Sequence, residues 1–163
     1  MLRLGLWVAL AGLLLDHLTK WWAIEVLSHK VVIIIPGMFD FILMHNKGAA
    51  FSLFVNLPSP WREGMLITIA VVASGGMIWL LRQVTDRLNA VGLGLVLSGA
   101  VGNVIDRIFR GAVVDFIHVH WHNFDWPVFN IADCAITVGI GLMMWDAFVQ
   151  ARDSKHVKEE LTS

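Results

Sequence analysis

The chain has 163 residues, a length that suits one domain. Only 15% of them are charged, against roughly 25% in an average soluble domain, and the deficit, with eight Trp and nine Phe, points to a bilayer as solvent. A formal net charge of -1 offers no basic patch for nucleic acid, and the single cysteine, Cys134, allows neither an intrachain disulfide nor a thiolate metal cluster.

Met1-Leu-Arg3 precedes an apolar run from Leu4 to Leu15, in the manner of a secretory signal. No small-residue cleavage site follows; the chain continues Asp16-His-Leu-Thr-Lys20-Trp-Trp. The expectation is an uncleaved first helix over about residues 4–26, with Trp21 and Trp22 near an interface. Asp16 and Lys20, i,i+4 neighbours, are expected to pair at the membrane edge.

Val31 to Ile35 is a β-branched run ended by Pro36-Gly37, and Phe39 to Met44 is a second apolar stretch. With His45-Asn46-Lys47-Gly48 these read as a small β element over about residues 28–60. A sheet edge cannot lie in hydrocarbon, so this element belongs at the surface. Asn46 and Gly48 are turn residues in their own right.

A second span is predicted over about residues 61–81, where Ser74-Gly75-Gly76 suggests close approach of another helix. The third covers about residues 90–108, with Gly94, Ser98 and Gly102 at four-residue intervals as a packing stripe. Arg110 to Asn130 reads as a loop or extended segment rich in His and aromatic residues. The fourth span covers about residues 131–149, and residues 151–163 form a polar tail. Four spans put both termini on one side, with Arg3, Arg82, Arg87 and the basic tail, and the positive-inside rule makes that side cytoplasmic. The stretch from Gly99 to Asp133 then ends up outside, in a bacterium the periplasm.

Its polar residues are Asn103, Asp106, Arg107, Asp115, Asn130 and Asp133. If Asp115 and Asp133 meet, both cannot be charged at once: one carboxylate can draw a proton from water while the other, protonated, donates to a carbonyl. That chemistry needs no cofactor and no metal. Asn130-Ile-Ala-Asp133 also has the form of a helix-capping box, and Asp115 could be a solvated acid. Asn103, Asp106 and Arg107 share a helical patch; the arginine could hold a peptide carbonyl or pair with Asp106, and Asn103 and Asn130 could donate to substrate. Three other readings compete. His118, His120 and His122 would share one face of a strand and could hold zinc with Asp115. Cys134 could be a nucleophile, and intramembrane acids could serve a transporter.

Five ordered blocks resemble the bacterial signal peptidase II, or lipoprotein signal peptidase, family: Leu15-Asp-His-Leu-Thr-Lys20, Asn46-Lys-Gly-Ala-Ala-Phe-Ser52, Gly99-Ala-Val-Gly-Asn-Val-Ile-Asp-Arg107, Val113-Val-Asp-Phe116 and Phe129-Asn-Ile-Ala-Asp-Cys-Ala-Ile-Thr137. The resemblance implies a four-helix protein of the inner membrane with a small periplasmic β-cradle. It implies an aspartyl endopeptidase that cuts before the lipidated cysteine of diacylglyceryl-modified prolipoproteins. Asp115 and Asp133 match the dyad; Asn46, Gly48, Asn103, Asp106, Arg107, Asn130, Asp16 and Lys20 match supporting positions. Inhibition by globomycin-type cyclic peptides and contact with membrane lipid follow from the same likeness, and the chain is expected to act as a monomer. Lys47 replaces a common Thr, His17 a common Gln and Cys134 a common Ser.

Overall fold

The structure, a computed structural model, describes residues 1–48, 58 and 61–162. The elements run α1 (Leu2–Leu27), β1 (Val32–Ile35), β2 (Phe39–Asn46), α2 (Trp61–Leu81), α3 (Arg87–Arg110), β3 (Val113–Trp121), β4 (Phe124–Asp125) and α4 (Ile131–Thr162). Four of these helices are long and apolar enough to cross a membrane. The part of the expected β element beyond Gly48 lies outside the described residues, Pro58 excepted.

Helix α3 is the axis of the bundle. It packs against α1, α2 and α4, and its most apolar window is 61% buried, against 11–17% for the other three. Small residues make this possible. A Cβ on Gly94 would meet the Gly5 carbonyl and Val8, and one on Gly102 would run into the Asp16 carboxylate. Gly92 and Gly139 likewise stand against each other's backbone carbonyl across the α3–α4 contact. Gly75 and Gly76 differ from the expectation: both are exposed, and nothing among the described residues lies near the Cβ either would carry, so these two glycines do not mediate a close helix approach there. Large apolar side chains cover the outside, among them Trp7, Trp21, Val72, Trp79 and Trp145.

Asp86 opens α3 by accepting the Asn89 N–H at 2.7 Å. Gly111 closes it at φ +71°, a left-handed conformation that suits glycine, with its N–H bonded to the Arg107 carbonyl. This cap turns the chain straight into β3. The segment read as a loop or extended stretch is therefore mostly a strand: β3 pairs antiparallel with β2 and then with β4 in a sheet ordered β1-β2-β3-β4. The sheet is docked on the end of α1 through Ala23, Leu27 and Phe116, with Trp22 set edge-on to Phe41 at 5.5 Å.

Candidate active site

Asp115 lies in β3, opposite Met44 of β2, and is 1% exposed. Its two carboxylate oxygens accept from Asn46 Nδ2 at 3.1 Å and from Asn130 Nδ2 at 2.6 Å. Asp133 occupies the third position of α4. Asn103 Nδ2 donates to its Oδ1 at 3.0 Å and the Asn130 N–H to its Oδ2 at 3.3 Å, while the Asp133 N–H donates back to Asn130 Oδ1 at 3.0 Å. The capping box is thus formed, and it has a second effect. Asn130 caps the helix with its oxygen and backbone while its amide nitrogen holds Asp115, so one residue sets the positions of both carboxylates.

The orientation of Asn103 is fixed by Lys20. An ammonium can only donate, so the amide oxygen must face Lys20 Nζ, at 3.1 Å, and the amide nitrogen faces Asp133. Lys20 is itself fully buried, with Asp16 Oδ2 and Asp106 Oδ2 each at 2.8 Å. Arg110 also pairs with Asp106. The expected Asp16–Lys20 pair is formed, and it is buried inside the bundle, where Asp106 arrives from α3 to complete it. The remaining bonds tie the network to the site: Asp16 Oδ1 accepts the Ala132 N–H at 3.0 Å, and Asp106 Oδ2 accepts the Val114 N–H at 3.2 Å. Each secures the backbone one residue before a site aspartate.

Arg107 does not pair with Asp106. Its Nη2 reaches the Gly48 carbonyl at 2.9 Å and its Nη1 the Asn103 carbonyl at 3.2 Å. Gly48 N–H in turn donates to Asn46 Oδ1 at 2.9 Å, an Asx turn that leaves the Asn46 amide free to hold Asp115. Turn and site roles therefore coexist at Asn46.

Among the described residues neither Asp115 nor Asp133 is ion-paired. Burial, and then repulsion from Asp133, push the Asp115 carboxyl from 3.8 up to about 7, against the opposing hydrogen bonds of Asn46 and Asn130. A buried carboxyl that holds its proton near neutrality, coupled to a second carboxyl, can serve acid–base chemistry.

The family model described as signal peptidase (SPase) II matches residues 8–149. The chain belongs to the signal peptidase II family. A lipoprotein signal peptidase from Azoarcus sp. (strain BH72) is 42% identical over 94% of this chain and 86% of its own length. One from Neisseria gonorrhoeae is 39% identical, covering 91% and 92%. A bacterial membrane enzyme solved by the in meso method at 2.3 Å superposes with a TM-score of 0.79 at 25% identity, over 91% of this chain and 90% of that one. Membership makes the chain an aspartic peptidase that removes signal peptides from prolipoproteins. The four spanning helices and small antiparallel sheet expected from sequence agree with that fold.

The competing histidine reading loses its geometry. His118 and His120 do share a face, but His122 sits in the β3–β4 turn at φ +53°. The first two contact Asp40 and Asp125, whereas Asp115 contacts Asn46 and Asn130. Asp40 was not singled out in the sequence. The available signal was an acid interrupting the apolar run Phe39 to Met44.

Proposed function

We propose that Asp115 and Asp133 are the catalytic pair of this peptidase and that a water between them and the scissile carbonyl is the nucleophile. The observation that carries the reading is the shared Asn130, which hydrogen-bonds both side chains, together with the raised Asp115 carboxyl. Asp115 begins the cycle protonated, the form its burial favours near neutral pH. Asp133, held by the Asn103 amide and the Asn130 N–H, begins as the carboxylate. Asp133 takes a proton from the water as oxygen attacks the carbonyl carbon, and Asp115 gives its proton to the carbonyl oxygen. The tetrahedral intermediate then collapses: the hydroxyl returns its proton to Asp115, Asp133 protonates the leaving nitrogen, and the C–N bond breaks. The pair ends as it began.

Asn46, Gly48 and Arg107 form the wall from which substrate backbone is gripped, with Arg107 fixed on the Gly48 carbonyl. The bond cut is the one before the diacylglyceryl-modified cysteine. Support comes from the placement of the pair where helix ends meet the sheet: a peptide can enter there with its lipid still among the exposed apolar helix faces. Trp121 and Trp126, both exposed beside the sheet, suit contact with the lipid headgroup layer. The α2–α3 loop, flanked by Arg82 and Arg87, lies at the opposite end of α3 from Asn103 and Arg107. The positive-inside rule then places that loop and both termini in the cytoplasm and the aspartates at the periplasmic side of the bacterial inner membrane. The enzyme works as a monomer, and globomycin-type peptides block it.

The test is processing of a lipidated prolipoprotein by purified protein, with Asp115→Asn and Asp133→Asn beside the wild type. Full activity in either variant sinks the pair. Equal cleavage of an unlipidated precursor removes the claimed selectivity for the lipidated cysteine.

A further inference from the structure

The sheet carries a second polar group that peptide cleavage does not use. Asp40 stands in β2 directly opposite His118 of β3. His118 and His120 are two residues apart on the strand and leave the same face; their rings stack with centroids 4.6 Å apart and planes 19° from parallel. His118 Nδ1 lies 2.7 Å from Asp40 Oδ1, and His120 Nε2 lies 3.3 Å from Asp40 Oδ2. One ligand atom from each of the three side chains falls within 4.8 Å of the others. The second ring nitrogen of His118, Nε2, lies 2.7 Å from Asp125 Oδ1 on β4.

We propose that Asp40, His118 and His120 bind one divalent transition-metal ion of the zinc type, with Asp125 holding His118 in the ligating tautomer. Two imidazole nitrogens and a carboxylate oxygen are a donor set for zinc, cobalt or nickel, whereas calcium and magnesium favour oxygen throughout. Three protein ligands leave a position for water. Asp125 supplies a separate argument. A histidine on a metal usually gives its other N–H to a carboxylate, and Asp125 takes the Nε2 side, leaving Nδ1 turned to Asp40.

Without an ion His118 lies between two acids: burial opposes a charge on the ring, but the Asp125 and Asp40 hydrogen bonds outweigh it and raise the pKa. That arrangement accounts for His118 alone. It gives no reason for His120 to stack alongside and aim Nε2 at the other oxygen of the same carboxylate, which a shared ion does. The three side chains are 17–27% exposed, so an ion can enter from water. Bound there, it fastens β2 to β3 and, through Asp125, steadies β4. Its contacts are separate from those of Asp115, whose partners are Asn46 and Asn130.

Untagged full-length protein in detergent is stripped with a chelator, freed of it and titrated with Co2+ by visible absorption and with Zn2+ by calorimetry. One ion per chain is expected, with cobalt d–d bands, displacement by Zn2+ and a higher thermal midpoint in Zn2+. Asp125→Asn should weaken Zn2+ binding about 10- to 100-fold at unchanged stoichiometry. The doubly substituted His118→Ala/His120→Ala protein should lose the bands and the thermal shift. Should that variant fail to fold, His120→Gln alone must reduce affinity and alter the bands. Stripping should leave prolipoprotein processing unchanged. No saturable binding by the wild type, or binding untouched by the histidine substitutions, overturns the site. Processing lost on stripping and restored by Zn2+ overturns its separation from peptide cleavage.

Discussion

Asp16 and Asp106 meet two cations, Lys20 and Arg110, while Asp115 and Asp133 meet asparagine amides. Both pairs of acids are held among apolar helices. In the first pair opposite charge opposes the loss of water, and the backbone N–H groups of Ala132 and Val114 take up further oxygens to make a buried joint. In the second the neutral partners fix direction without cancelling charge, so burial, and then the repulsion that remains, drive the Asp115 carboxyl up to about 7. On the proposed reading, the same residue type serves as scaffold where cations surround it and as reagent where amides do.

This contrast can be broken by experiment. The largest effect is expected from Asp115→Asn or Asp133→Asn: prolipoprotein cleavage should fall by roughly 10²–10⁴-fold, the usual worth of acid–base catalysis, with a near-native thermal midpoint. The mirror-image change is Lys20→Ala. Removing the cation strands buried carboxylates and should cost about 3–5 kcal/mol, read by denaturant unfolding in detergent. Activity should fall as well, because Asn103 loses the partner that orients its amide.

The pH dependence of stability separates the two groups further. The Asp115 pKa is raised on folding from 3.8 to about 7, so its stabilising contribution is present below the unfolded value and lost as pH climbs through about 7. Asp115→Asn should flatten that part of the thermal-midpoint profile. In kcat/KM the same group should give a falling limb near pH 7. Asn46→Ala should move the limb upward, since the amide bond opposes the shift. The smallest effect belongs to Cys134→Ser, a near-isosteric change at a half-buried thiol, which should change activity and stability little; a large loss of activity would reopen the thiol as nucleophile.

Local features were the legible ones. The capping box Asn130–Asp133 and the Asp16–Lys20 spacing are set within one or two helical turns, so the order of residues displays them. What joins them was not displayed. Asp106 completes the Lys20 joint from another helix, a contact that the i,i+4 spacing within α1 does not display. Strand β3 finds its partner β2 across two intervening helices, and no periodicity in Val113–Trp121 announces that pairing. Gly75 and Gly76 show the reverse error: their sequence invites packing, and nothing within the described chain packs there. The Arg107 contact to the Gly48 carbonyl is with backbone, to which sequence is blind.

The bond from Asp16 of α1 to the Ala132 N–H of α4 joins the first helix made to the last. A nascent chain halted after β4 would carry Asp16 without the amide it caps and Asp115 without Asp133. On the proposed pairing, such an intermediate cannot yet cleave a peptide. On that reading, completing α4 is itself the activating event.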